Sequence, residues 1–378
     1  MNYISKSNKS NNTFAEISIL EKVNEVKEYN LILHVTNSSL PYEEQLNSLF
    51  DTYNSLCKEE LKEATPVFKR FFLSDIANQY EILKARLPKH PDCGLSIIEQ
   101  PPLNGTKIAL WVYLQSDVEE KGWKNGLFEV KHKNKSFSHL WGGNAFNNAQ
   151  NSEYQTRILF NDYIMQLAGN NCTLANNCIR TWLFVQNVDV NYAGVVKARN
   201  EVFITQNLTD KTHFIASTGI AGRNADPQVF VQMDSYAIRG ISKERIQYLY
   251  APTHLNPTHE YGVSFERGTC IRYEDRRHVF ISGTASIDNK GKIVWPGNIF
   301  KQTQRMWENV EVLLQEADCS FEDVAQMIVY LRDIADYDRV KDLFEERFPH
   351  IPKVILLAPV CRPGWLIEME CIALKAEK

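Results

Sequence analysis

The chain has 378 residues, 44% of them hydrophobic and 23% charged, an ordinary globular balance with room for two or three domains or one large one. A net charge of −4 disfavours electrostatic binding to nucleic acid, which calls for a basic surface. No run approaches the roughly 18 apolar residues of a membrane span. Residues 1–20 lack an apolar signal core, and eight cysteines without regular spacing suit reduced thiols in a cytoplasm.

One pattern occurs three times along the chain: an amphipathic helix, a short polar link, an apolar strand, an acidic or amide turn, and a second helix. The first and faintest copy spans residues 46–87, with FFLSDIANQY over the turn, and is followed by the alternating apolar segment SIIEQPPLNGTKIALWVYLQ. The second, Phe160 to Phe203, is preceded by the less regular LFEVKHKNKSFSHLWGGNAF and followed by THFIASTGIAGRNADPQVFVQMDSYAI. It contains Cys172 and Cys178 in CTLANNC, the one close cysteine pair, with no histidine nearby to complete a metal site. The third and clearest, Asn309 to Phe348, follows HVFISGTASIDNKGKIVW, which reads as a hairpin turning at Asn-Lys-Gly. After it comes KVILLAPVCRPGWLIEMECIAL. Each trailing segment reads as two strands joined by a turn, punctuated by Pro and Gly.

The unit is thus roughly β-β-α-β-α-β-β. A half-buried sheet covered by helices on one side gives an α+β layer fold. Three units, the first divergent, predict a pseudo-threefold arrangement with divisions at 1–120, 121–255 and 256–378.

The third unit, from about Arg276 to Glu377, resembles the Rid (YjgF) family along its length, through HVFISGTASIDNKGKIVWPGNIFKQTQRMWENV, VYLRDIADYD and LIEMECIAL. That family has a chorismate-mutase-like fold and forms trimers with sites between neighbouring subunits. The resemblance implies either a monomer with an internal pseudo-trimer or a homotrimer. Stand-alone Rid enamine/imine deaminases hold a substrate carboxylate with an arginine just before the penultimate strand. Lys353 stands there in this chain, and lysine lacks the planar fork that grips a carboxylate with two bonds. A second resemblance, from about Gln155 onward, is to the chorismatases, which remove the enolpyruvyl group of chorismate as pyruvate. It rests on QTRILFNDYIMQL, RTWLFVQNVDVNYAGVVKARNEVF, STGI, FISGTASI and CRPGWLIEMECIA.

In that last segment Glu368 and Glu370 share one strand face, with Ile367, Met369 and Cys371 on the other. Alternation alone leaves the two acids equivalent, and either reads equally as a solvent-facing edge acid. The chorismatase resemblance makes Glu368 the general acid and Glu370 a bystander that lines the pocket or faces solvent. It makes Cys361 a pocket residue that accompanies aromatisation, which favours 3-hydroxybenzoate as product. From the residues alone, Cys361 is also a small core side chain, with no histidine near it in sequence after His350 to make it a thiolate.

A dianionic substrate needs cations to be buried. Arg180, Arg199 and Arg362 are the candidates, Arg180 and Arg199 preferred. Arg199 also reads as a solvated helix charge, and Tyr192 as either a phenolic donor or an interface aromatic. Thr218 and Gly219 in STGI, with Gly283 and Thr284 in SGTAS, set glycine beside hydroxyls at strand ends. There a ligand can approach the backbone, unless each is a simple β-bulge. The expectation is a cytoplasmic, cofactor- and metal-free, pyruvate-releasing lyase or hydrolase acting on chorismate or a similar dicarboxylate, with no nucleic-acid or membrane partner. A Rid-type enamine/imine deaminase and a non-catalytic small-molecule-binding protein are the alternatives.

Overall fold

The computed structural model describes residues 1–22, 25–133 and 135–377. The first unit comprises β1 (Asn2–Asn8), β2 (Thr13–Leu20), β3 (Glu28–Val35), α1 (Tyr42–Lys58), β4 (Thr65–Leu73), α2 (Ile76–Arg86), β5 (Gly94–Glu99) and β6 (Ile108–Gln115). The second comprises β7 (Val118–Lys124), β8 (Leu127–His132), β9 (Ser138–Phe146), α3 (Ser152–Gly169), the single turn α4 (Leu174–Asn177), β10 (Cys178–Val185), α5 (Val188–Thr205), β11 (Ala216–Ala221) and β12 (Val231–Arg239). The third comprises β13 (Ile246–Leu249), β14 (Gly268–Arg272), β15 (Arg276–Ala285), α6 (Ile299–Glu316), β16 (Val324–Leu331), α7 (Tyr337–Arg347), β17 (Lys353–Leu357) and β18 (Ile367–Ala376).

Each unit forms a six-stranded mixed sheet, and the three strand orders correspond: β1-β2-β3-β6-β4-β5, β7-β8-β9-β12-β10-β11 and β13-β14-β15-β18-β16-β17. The one parallel pair in each joins the strands on either side of the second helix, as a βαβ crossover requires. The fold is α+β, with three Rid-like units in pseudo-threefold arrangement.

Several local expectations change. Each unit opens with three strands rather than two, and the first is as complete as the others. The segment IDNKGKIVW makes only an isolated bridge between Ile287 and Ile293, so the expected hairpin does not extend into paired strands. The two trailing strands of each unit do not pair with each other. They flank the middle strand, as β17 and β18 flank β16. The sheets change over between Gln115 and Val118 and between Arg239 and Ile246, ahead of the expected divisions.

The sheets pack in a ring. β5 lies against β9, β11 against β14 and β15, and β16 and β18 against β2. β3 shows how one strand serves two layers. Leu31 and Leu33 join the core under α1, while Ile32 points into the core shared with the other sheets, the alternation of a pleated strand. Both faces of the inner strands are therefore buried, which explains their near-continuous apolar runs.

Candidate active site between the second and third sheets

Where β11 meets β15, the two sheets leave a cavity of about 510 Å³ of non-atom space, its open mouth included. Helix α5 contributes Tyr192 and Arg199, and β11 contributes Ser217 and Gly219. The third unit supplies Gly283 and Ala285 from β15, Glu368 from β18, and Cys361, Arg362 and Trp365 from the β17–β18 connection. The approach to β14 adds Val263, Phe265 and Arg267.

Glu368 stands in β18 between Ala285 of β15 and Tyr330 of β16. It is 5% exposed. Its carboxyl rests on Gly283, where a Cβ would come within 2.1 Å of Oε1. Burial raises its pKa to about 8, and the neighbouring Glu370 adds to the rise against the opposing pull of Arg180 and Arg267. Desolvation penalises the ionised form, so the group is a protonated acid at neutral pH.

Glu370 shares the same face but is neither solvent-facing nor lining the cavity. It is 2% exposed. Its Oε1 accepts from Trp182 Nε1 at 2.8 Å, and its Oε2 from Arg180 Nη2 at 2.8 Å and from the Thr218 hydroxyl. Arg180 also donates to Thr218 Oγ1 and, at 3.4 Å, to Ser282 Oγ. Arg180 is thus paired inside the molecule behind the cavity wall, and the expectation that it meets the substrate is not what this geometry shows. Its position at the start of a central strand had demanded a partner, and the partner is Glu370.

Arg199 lies differently. It is 1% exposed, lines the cavity, and its Nε and Nη2 have no hydrogen-bond partner in the protein. Its guanidinium sits 5.9 Å from the Phe265 ring centre. A buried, incompletely bonded guanidinium fits an anionic ligand. Arg362 stacks on Trp365 at 5.1 Å, and Arg267 donates to the Asn256 carbonyl at 3.0 Å.

Burial pushes the Cys361 thiol up to about 12, with the Glu368 charge adding and the Tyr192 hydroxyl opposing. It is no thiolate nucleophile at neutral pH. Cys361 reaches Glu368 by way of the β17–β18 crossover rather than a hairpin. Gly219 leaves room for the Tyr192 ring, since a Cβ there would lie 2.8 Å from Cε2. Thr218 serves the Glu370 cluster and accepts the Gly283 N–H at 2.9 Å. Thr284 donates to the Ser282 carbonyl and does not line the cavity.

Sequence reasoning missed Arg267, Phe265 and Trp365 as lining residues, and no local pattern sets them apart. Lys353 lies in the cleft between the third and first sheets, paired with Glu16 at 3.3 Å. Cys172 and Cys178 are both free. Among the described residues no group of His, Cys, Asp and Glu is placed to hold a metal ion, and no helix is long and apolar enough to cross a membrane.

The family model described as endoribonuclease L-PSP matches residues 270–375. A RutC family protein of Pyrococcus abyssi is 34% identical over 99 residues, which cover 26% of this chain and 78% of that protein. The chain belongs to the RutC family. A 3-aminoacrylate deaminase RutC of Acinetobacter baylyi is 29% identical over 97 residues, 25% of this chain and 77% of its own length. Each of these RutC relatives corresponds to about one of the three units. The larger likeness is structural: a crystal structure of chorismatase superposes with a TM-score of 0.64 at 17% identity, covering 82% of this chain and 93% of that one. This RutC family member therefore has the fold of chorismatase.

Proposed function

We propose that the protein is a chorismatase-like enzyme that removes the enolpyruvyl group of chorismate as pyruvate, with Glu368 as general acid. The observation that carries this reading is the Glu368 carboxyl, buried, held up at about 8 and lodged on Gly283 in a cavity that also exposes Arg199. Cleaving an enol ether without a metal requires a proton on its terminal methylene carbon. Only an acid that is neutral near pH 7 can supply it. Protonation leaves an oxocarbenium ion at the ether carbon. Capture by the substrate's own neighbouring ring hydroxyl gives a cyclic ketal. The ring aromatises as that hydroxyl's C–O bond to the ring breaks and the ring carbon bearing the ether oxygen loses its proton, which restores the acid, and the hemiketal left expels pyruvate and 3-hydroxybenzoate. Arg199 and Arg362 would balance the two carboxylates of the substrate, and Tyr192 would offer a phenolic donor.

Cys361 supports an aromatic product. By the chorismatase resemblance, a cysteine at this place accompanies formation of 3-hydroxybenzoate, and its thiol here is neutral and faces the same cavity as the acid. The atoms balance: chorismate yields 3-hydroxybenzoate and pyruvate with no net water. The competing deaminase reading is weakened by Lys353, whose ammonium is engaged by Glu16 and by the Phe348 and Ile351 carbonyls.

Incubation with chorismate, with pyruvate followed through lactate dehydrogenase and NADH, tests the proposal. Pyruvate formation well above that of Glu368→Gln is expected, and chromatography should then show 3-hydroxybenzoate. Wild-type pyruvate no higher than that variant's would end the proposal. Ammonia release from imino acids in its place would establish the deaminase.

A further inference from the structure

The acid of the proposed reaction has to keep its proton within reach of several arginines. We propose that Glu370 is the positioning residue that does this: a fixed negative charge, one pleat repeat from Glu368, that neutralises Arg180 and makes a second carboxylate beside it unfavourable. The assignment rests on reading Glu368 as the acid of this cavity.

The geometry that carries it is the saturation of Glu370. Three donors hold its two oxygens: Trp182 Nε1, Arg180 Nη2 and the Thr218 hydroxyl. Arg70 Nη1 lies 3.9 Å from Oε1. The donors come from β10 and β11 and the Arg70 charge from β4, so units one and two together surround a carboxylate carried by unit three. Arg180, bonded to Glu370, Thr218 and Ser282, has its charge balanced before it can act on Glu368.

The groups facing Glu368 come from every side. Glu370 is on its own strand, Arg180 on β10, Tyr330 on β16, and Arg267 just before β14. Cys361, Tyr192, Arg199 and Arg362 share the cavity wall. Of the charges acting on its proton, Glu370 has the largest effect, ahead of Arg180 and Arg267. Sequence alternation places the two acids together, but only the crossing of three units shows that one is held by three donors and the other faces the ligand space.

Difference infrared titration tests the assignment without substrate, because the protonated carboxyl stretch that disappears in Glu368→Gln identifies the group. The wild-type midpoint is expected at about 8. Glu370→Gln removes the repulsion and leaves Arg180 uncompensated, so the midpoint should fall by at least about one pH unit, roughly tenfold in proton affinity. If that variant does not fold, the double variant Arg180→Gln/Glu370→Gln exchanges the ion pair for amides. Its midpoint should also fall, by less, since the opposing arginine leaves too. An unmoved midpoint in whichever variant folds overturns the assignment. Pyruvate release is measured on the same proteins. A lowered midpoint with no wild-type turnover of chorismate defeats the functional reading alone. Turnover with an unmoved midpoint defeats the role of Glu370 alone.

Discussion

Glu368 and Glu370 differ in nothing that local sequence can register, yet one borders the cavity and the other is bonded behind its wall because of what crosses in front of them. Gly283 removes the side chain that would otherwise occupy the place of the Glu368 carboxyl. Gly283→Val should therefore swing the acid out of line and lower kcat roughly 100-fold, the usual effect of a displacement near 1 Å. Unchanged kcat in a folded variant would contradict the placement. Arg199 gives a second test. Its buried, incompletely bonded guanidinium carries a desolvation penalty that a ligand relieves. Arg199→Met should raise the stability of the empty protein by roughly 1–2 kcal/mol in urea titration while raising KM for chorismate roughly tenfold or more. The pH profile follows from the raised Glu368. If Glu368 is the proposed acid, kcat/KM should hold through neutrality and decline as pH rises past about 8. A profile limited only near pH 4 would mean that an ordinary carboxylate acts instead.

Among the elements, the helices and the middle strand of each unit were legible because amphipathic period and apolar run length are local properties. Strand pairing was not. A trailing pair of strands with a Pro-Gly turn between them reads as a hairpin. In the fold the middle strand inserts between them, because the crossover helix brings the penultimate strand down on its far side. The opening strands of the first unit escaped notice for a related reason. β1, NYISKSN, is a polar edge strand without alternation, and β3 is buried on both faces. Close approach between sheets is also an element-scale matter. At Gly143 of β9 an added Cβ would lie 2.3 Å from the Leu95 carbonyl oxygen of β5. Backbone cannot yield as a side-chain tip does, so Gly143→Ala should destabilise the joint between the first two units by roughly 1–3 kcal/mol. A denaturant midpoint equal to wild type would refute this.

At the scale of the whole molecule, three similar units meet at three joints, and the joints are not equivalent. Each middle strand carries a bulge, and Tyr330, Phe184 and Phe72 each lie four residues beyond it. Their partners in the closing strands are Glu368, Gln232 and Ala109. Only the cleft between units two and three has a carboxylic acid at that place, so calorimetry with a hydroxybenzoate product should give one site per chain, and two or three sites would contradict it. The ring of sheets closes within a single chain. All three units also meet in a buried polar cluster that includes Glu28, His132, His139, Arg276 and His278. Burial, more than any charge, holds His132 and His278 down to about 4 against an ordinary 6.5. At these two positions the unfolded chain takes up protons that the folded chain refuses, so they withdraw stability as pH drops from about 6.5 toward about 4, while the raised Glu368 adds stability over the same range. A folded His278→Gln variant should therefore lose less Tm, or gain more, than wild type between about pH 7.5 and about pH 5, and an identical change in both would rule this out.

The sequence by itself determined the repeat, the α+β class and the strand face carrying two acids, because periodicity and alternation are written in neighbouring residues. Tertiary structure alone decided that Arg180 pairs with Glu370, that Arg199 and Arg267 border the cavity, and that Glu368 is buried against Gly283. Those outcomes depend on burial and on charges brought together from residues as far apart as Arg180 and Glu370. Burial and long-range charge are properties of the packed sheets and have no local signature in the chain.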